Sequence, residues 1–200
     1  MRDSADPSAR ARLLAATEEM LRESGMHGTT IKDVVARSGA PIGSLYHYFP
    51  GGKPQLVDEA LRINAEKIPQ LIDKCFDGRR SAAAAVRALF DGAATGFERG
   101  GADKGCAVGA VTLDVMPPDA AIRRVCKDAF DHWIAMIAPR LPFADTRTRR
   151  SFALMIVAAL EGAFVLSKAA QDGQPFRDAG KWLSAMIPPT KSHATHAAHR

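Results

Sequence analysis

The stretch from Thr29 to Phe49 constrains this 200-residue chain more than any other. Thr30 is a good N-cap, and Asp33 three residues on favours the first helical turn. Ile31, Val34 and Val35 then fall at i, i+3 and i+4, the apolar face of one short helix. Ala36, on the inner side, is small enough to let a second helix cross closely. Gly39 supplies the positive φ that ends the first helix, and Pro41 suits the first turn of the next. There Leu45 and Phe49 stand at i, i+4 and face inward, leaving Ser44, Tyr46, His47 and Tyr48 for other faces. A helix-turn-helix sets such a row of hydroxyl and imidazole groups in the DNA major groove. The same turn and caps also serve an ordinary helical hairpin, in which the two tyrosines would be half-buried.

Directly after Phe49, Pro50-Gly51-Gly52-Lys53-Pro54-Gln55-Leu56 opens a further helix. Its free backbone N–H groups and Lys53 make a phosphate clamp beside the reading helix. Thr29 to Leu56, with Leu45-Tyr46-His47-Tyr48-Phe49-Pro50-Gly51-Gly52-Lys53 at its centre, resembles the DNA-binding domain of the tetracycline-repressor (TetR) family, and the likeness covers about residues 8 to 60. It implies an all-α protein: an N-terminal three-helix helix-turn-helix domain over residues 1–52, then a larger helical effector-binding and dimerisation domain over 53–187. By this analogy Ser44, Tyr46, His47 and Tyr48 meet bases and phosphates of a palindromic operator in double-stranded DNA. Thr30, Tyr48 and Lys53 fix the register on the backbone, and Lys32 reaches a base edge.

Charge bears on this reading. The net +5 and an isoelectric point near 9.3 fit a polyanionic partner. Yet residues 1–62 hold eight Lys/Arg against eight Asp/Glu, and the excess lies downstream, nineteen against fourteen. DNA binding must therefore rest on where a few cations sit. Arg10 and Arg12 are candidates for phosphates, or plain solvated charges.

Downstream, helical periodicity continues. A helix from Lys53 runs toward Ile68, where Pro69 removes a backbone donor and is expected to bend or end it. An alanine-rich helix follows over Ser81 to Arg99, then a short buried segment, Lys104 to Asp114, read as helix with strand as the alternative. Asp119 caps a long helix through Ile137. Another begins at Asp145 or Thr146 and is apolar all round from Phe152 to Leu166, interrupted by Glu161; it is judged too short to span a bilayer, and no membrane association is expected. A helix apolar on every side must be covered on every side, and a second copy of the chain would cover the outer one. Ala158, Ala159, Gly162, Ala163 and Val165 permit close approach, and Trp182 and Met186 of a last helix, about Phe176 to Ile187, extend the face. The chain is thus expected to be a homodimer. Residues 188–200 read as a disordered tail; His193, His196 and His199 have no carboxylate or cysteine to complete a metal site. No metal and no cofactor is expected.

Lys104-Gly105-Cys106, Asp114 and Leu160-Glu161-Gly162-Ala163 resemble the C-terminal half of one TetR subgroup, the lincomycin- and flavonoid-responsive repressors, with Ala107 where relatives carry proline and Asp114 in place of the usual glutamate. The family implies an effector cavity. Independently, Phe90, Phe97, Met116, Phe130, Trp133, Met136 and Phe164 supply large apolar groups suited to a small hydrophobic or aromatic effector, though such stripes also build ordinary cores. The expected function is a ligand-responsive transcriptional regulator, a repressor by family analogy. One alternative makes Cys106 or Cys126 a redox switch. Another, an all-α enzyme with Cys106 as nucleophile and His132 as base, lacks an orienting third group and is not favoured. Three cysteines without a CxxC pair and no evident signal peptide point to reduced thiols in the cytoplasm.

Overall fold

Helix signals dominate the sequence, and helices are what form. A computed structural model describes residues 8–79, 81–114 and 119–189. Among these residues there are nine α-helices and no strand: α1 (Ala9–Gly28), α2 (Ile31–Ser38), α3 (Ile42–Tyr48), α4 (Gly52–Phe76), α5 (Ala82–Arg99), α6 (Ala107–Asp114), α7 (Ala120–Ile137), α8 (Thr146–Ala170) and α9 (Gln174–Ala185). The protein is all-α, with the helix-turn-helix at its N-terminal end. The segment before Asp114 is helix rather than strand.

The ends obey local chemistry. The backbone N–H of Asp33 donates to Thr30 Oγ1 at 3.1 Å, and that hydroxyl donates to the Asp33 carboxylate at 2.6 Å. Gly39 takes φ 62° and its N–H closes on Val35 O, ending α2 in a left-handed cap. Asp145 caps α8 through Thr148 N–H, whereas Asp119 stands at the N-cap of α7 without making the side-chain bond. α9 starts two residues earlier than its apolar pattern, because Pro175 fits the first turn. α4 continues through Pro69 to Phe76 instead of ending, its far half held by buried Ile72 and Cys75.

Three packing facts position the sites. First, α1 lies against α2, α3, α4 and α6, so the reading head and the larger bundle share a helix. Gly25 interrupts α1 with φ 66°, and a Cβ there would lie 2.3 Å from Asp114 Oδ2, so the end of α6 is seated where only glycine fits. Second, Ala36, expected on the inner side, is exposed, whereas Ser38 and Ala40 are buried. Third, α8 is long enough by length and composition to cross a bilayer, 25 residues with a mean hydropathy of 1.8 over its most apolar window. The expectation that it was too short is corrected. Here it packs on α7 and α9 and divides into two stripes. Phe152, Ile156 and Ala163 point in, while Leu154, Ala158, Gly162, Val165 and Leu166 point out. Ala163, expected at a dimer interface, is buried within its own subunit; Ala159 is half-buried.

Candidate nucleic-acid interface and the cavities behind it

Leu45 and Phe49 are fully buried where α3 packs on α1, which turns the rest of α3 outward. Tyr46 is 54 % exposed and Tyr48 38 %, while His47 stacks edge-on against Tyr48 with ring centroids 4.9 Å apart. Ser44 is half-buried at the edge of the same face, and Thr30 and Lys32 stand exposed at the start of α2. The tyrosines are therefore not the half-buried packing groups of a plain hairpin.

The neutral charge count of this region resolves by pairing. Arg10 is held by Glu59 and lies over the Phe49 ring; Arg37 meets Glu23 at 2.7 Å and Arg62 meets Asp58 at 2.7 Å. Arg12 and Arg22 donate to the carbonyls of Ser38 and Gly105, both at 3.1 Å. Among the described residues Lys32 and Lys53 have no ion pair, so both remain available to phosphate. Part of the expected clamp is spent internally: Gly51 N–H goes to Gln55 Oε1 and Gly52 N–H to Phe49 O.

Two cavities lie behind the head. An outer one of about 610 Å³ is lined by α1, α6, α7 and α8, including Gly25, Asp114, Phe130, Val165 and Lys168. An inner one of about 420 Å³ lies within the bundle, with Leu71, Phe97, Trp133, Val157 and Phe164 in its wall. Of the expected pocket residues, Phe97, Phe130, Trp133 and Phe164 line one or both. Phe90 and Met136 do not: Phe90 is fully buried against Gly180 of α9, and Met136 packs on the core with its carbonyl taking Arg140. Met116 lies outside the described residues, as do the three tail histidines.

Both cavities share Arg22, Gly105, Cys106, Glu161 and Phe164. Pattern reading named only Phe164 of these as pocket lining; the lone charge in the apolar run was the signal for Glu161. Burial holds the Glu161 carboxyl above the usual carboxylate range, opposed only by a hydrogen bond from the Cys106 thiol. Burial also pushes Cys106 well up, with the Glu161 charge adding to it, and raises Cys126. A thiol reacts as thiolate, so neither environment favours a redox switch. His132 lies in a separate hollow with Arg62 and Asp128 and shares no cavity with Cys106.

A solvent-facing α3 in a helix-turn-helix, with Lys32 and Lys53 before and after it in sequence and without ion pairs among the described residues, is the architecture of a helix-turn-helix DNA-binding regulator. Residues 13–60 match the bacterial regulatory proteins of the tetR family, and residues 82–182 match the LmrA/YxaF-like transcriptional regulator C-terminal domain. The chain belongs to the TetR family of transcriptional regulators and is a DNA-binding regulator, not an enzyme. It is 29% identical over 170 residues to the uncharacterised HTH-type regulator YxaF of Bacillus subtilis, covering 84% of this chain and 88% of that protein. LmrA of the same organism is 28% identical, covering 84% and 90%. An uncharacterised HTH-type regulator of Mycobacterium tuberculosis reaches 31% over 83% and 87%. Solved structures share the fold: a TetR regulatory protein of Rhodobacter sphaeroides (TM-score 0.81, 21% identity, 91% of this chain and all of that one), and a cysteine mutant of CifR complexed with a 26-base-pair double-stranded operator (TM-score 0.77, 20% identity, 94% of this chain and all of that one).

Proposed function

We propose that this chain is a cytoplasmic, effector-responsive repressor that binds a palindromic operator as a homodimer and leaves it when a small hydrophobic molecule enters the cavities. The reading head corresponds to residues 1–52 and the effector and dimer region to 53–187. The observation that carries the reading is the outward face of α3, Tyr46 to Tyr48, set between Lys32 and Lys53. Ser44, Tyr46, His47 and Tyr48 meet the duplex; Thr30, Tyr48 and Lys53 fix it in register, and Lys32 reaches a base edge.

Response follows from a clasp. Gly105 N–H donates to Arg22 O at 2.8 Å while Arg22 Nε donates back to Gly105 O at 3.1 Å. Lys104 meets Glu19 at 2.8 Å, and Asp114 accepts from His27 N–H at 3.1 Å. An occupant of the cavities touches Arg22, Gly25 and Asp114, and so pushes on the helix that carries the head. Paired heads must match half-sites about 34–36 Å apart, so a shift of a few ångströms costs the complex its fit.

The test is operator titration by fluorescence anisotropy on a selected site. Tyr46→Ala is expected to weaken binding by about 1–3 kcal/mol with melting unchanged; undiminished affinity would refute the assignment.

A further inference from the structure

We infer that the effector is an apolar compound bearing one protonated amine, and that Glu161 is the group that receives it. This rests on reading the two cavities as the effector site. Glu161 stands where they meet, projecting from α8 toward α6. Gly109 of α6 clears its path: a Cβ there would lie 2.0 Å from Glu161 Oε2. The carboxyl thus lies directly over the bare backbone of α6.

Each of the other charged groups facing the cavities has a hydrogen-bond partner, a charged one for Glu18, Glu23 and Lys67 and a backbone carbonyl for Arg22 and Lys168. From α1, Glu18 takes Lys67 of α4 at 2.5 Å and Asn64 at 3.0 Å, and Glu23 takes Arg37. Arg22 points its Nε at Gly105 O. Asp114, at the end of α6, accepts from His27, and Lys168 of α8 donates to Glu23 O at 2.8 Å. Among the described residues Glu161 has only the Cys106 thiol, a weak donor. Glu161 is half-buried, and a carboxylate drawn partly out of water without a cation is costly; a ligand that brings one recovers that cost as a charge-assisted hydrogen bond. The surrounding aromatic and aliphatic wall takes the body of the same molecule. A ligand carboxylate directed at Arg22 is the competing chemistry, and would place two negative groups in one small cavity.

The full-length protein is titrated calorimetrically with phenylbutylamine, phenylbutanol and phenylbutyrate, which share one hydrocarbon body. The amine is expected to bind about tenfold or more tightly than the alcohol, and the acid most weakly. Glu161→Gln should leave the alcohol unchanged and remove the amine's advantage. Equal binding of alcohol and amine, tighter binding of the acid, or an amine preference that survives in Glu161→Gln overturns the inference while leaving the cavities as a ligand site. Silence from all three probes overturns both. If Glu161→Gln fails to fold, wild-type protein gives the answer: amine affinity should fall as pH is lowered through the titration of Glu161, with alcohol affinity flat. A pH-independent amine affinity overturns it equally.

Discussion

At the scale of single residues, this protein separates side chains that are spent inside the fold from those kept in reserve. Lys53 belongs to the second kind. Lys53→Ala should weaken operator binding across sequences and lower the salt slope of log affinity by about one; an unchanged slope in anisotropy titrations over a salt series would remove it from the phosphate contacts. Glu161 is the costly reserve. Its folded carboxyl titrates above that of the unfolded chain, so the folded state holds the extra proton between the two values, and stability falls as pH rises through that window. Glu161→Gln removes the titration. The ligand-free variant should melt above wild type, with the gap widening from weakly acidic to neutral pH. A gap that narrows as pH rises would mean the carboxylate has a partner not seen here.

At the scale of elements, close approach decides more than propensity. Gly180 of α9 faces Phe90 of α5 so closely that a Cβ would sit 2.5 Å from Phe90 Cβ. Alanine is a better helix former than glycine, yet Gly180→Ala should destabilise by about 1–3 kcal/mol because two helices must part; a raised melting temperature would show that α9 slides freely. Thr30→Ala tests the opposite case, a purely local device, with an expected loss of about 1 kcal/mol from the missing cap at α2. Chemical denaturation measures both.

For the whole molecule, the unanswered surface is the outer stripe of α8 with the exposed side of α9. Val165 and Leu166 are each 61 % exposed and Trp182 is 68 %. Large exposed apolar side chains on two packed helices fit the homodimer proposed above. Glutamate at Leu166 and Trp182 together should yield a monomer in sedimentation, with helical content retained and operator affinity lost. A dimer that survives the pair would place the interface elsewhere.

The sequence alone determined the local structure: caps, turns and periodicity located the helices, and the pairing of Leu45 with Phe49 oriented α3, because those signals act within one or two turns of chain. It also exposed the family. Tertiary structure alone decided which side of an all-apolar helix faces inward, burying Ala163 and excluding Phe90 from the cavities. It also brought Arg22, Gly105 and Glu161 to one wall and seated Asp114 against Gly25. Those juxtapositions join residues tens of positions apart, and their geometry comes from how helices cross, which no short-range pattern encodes.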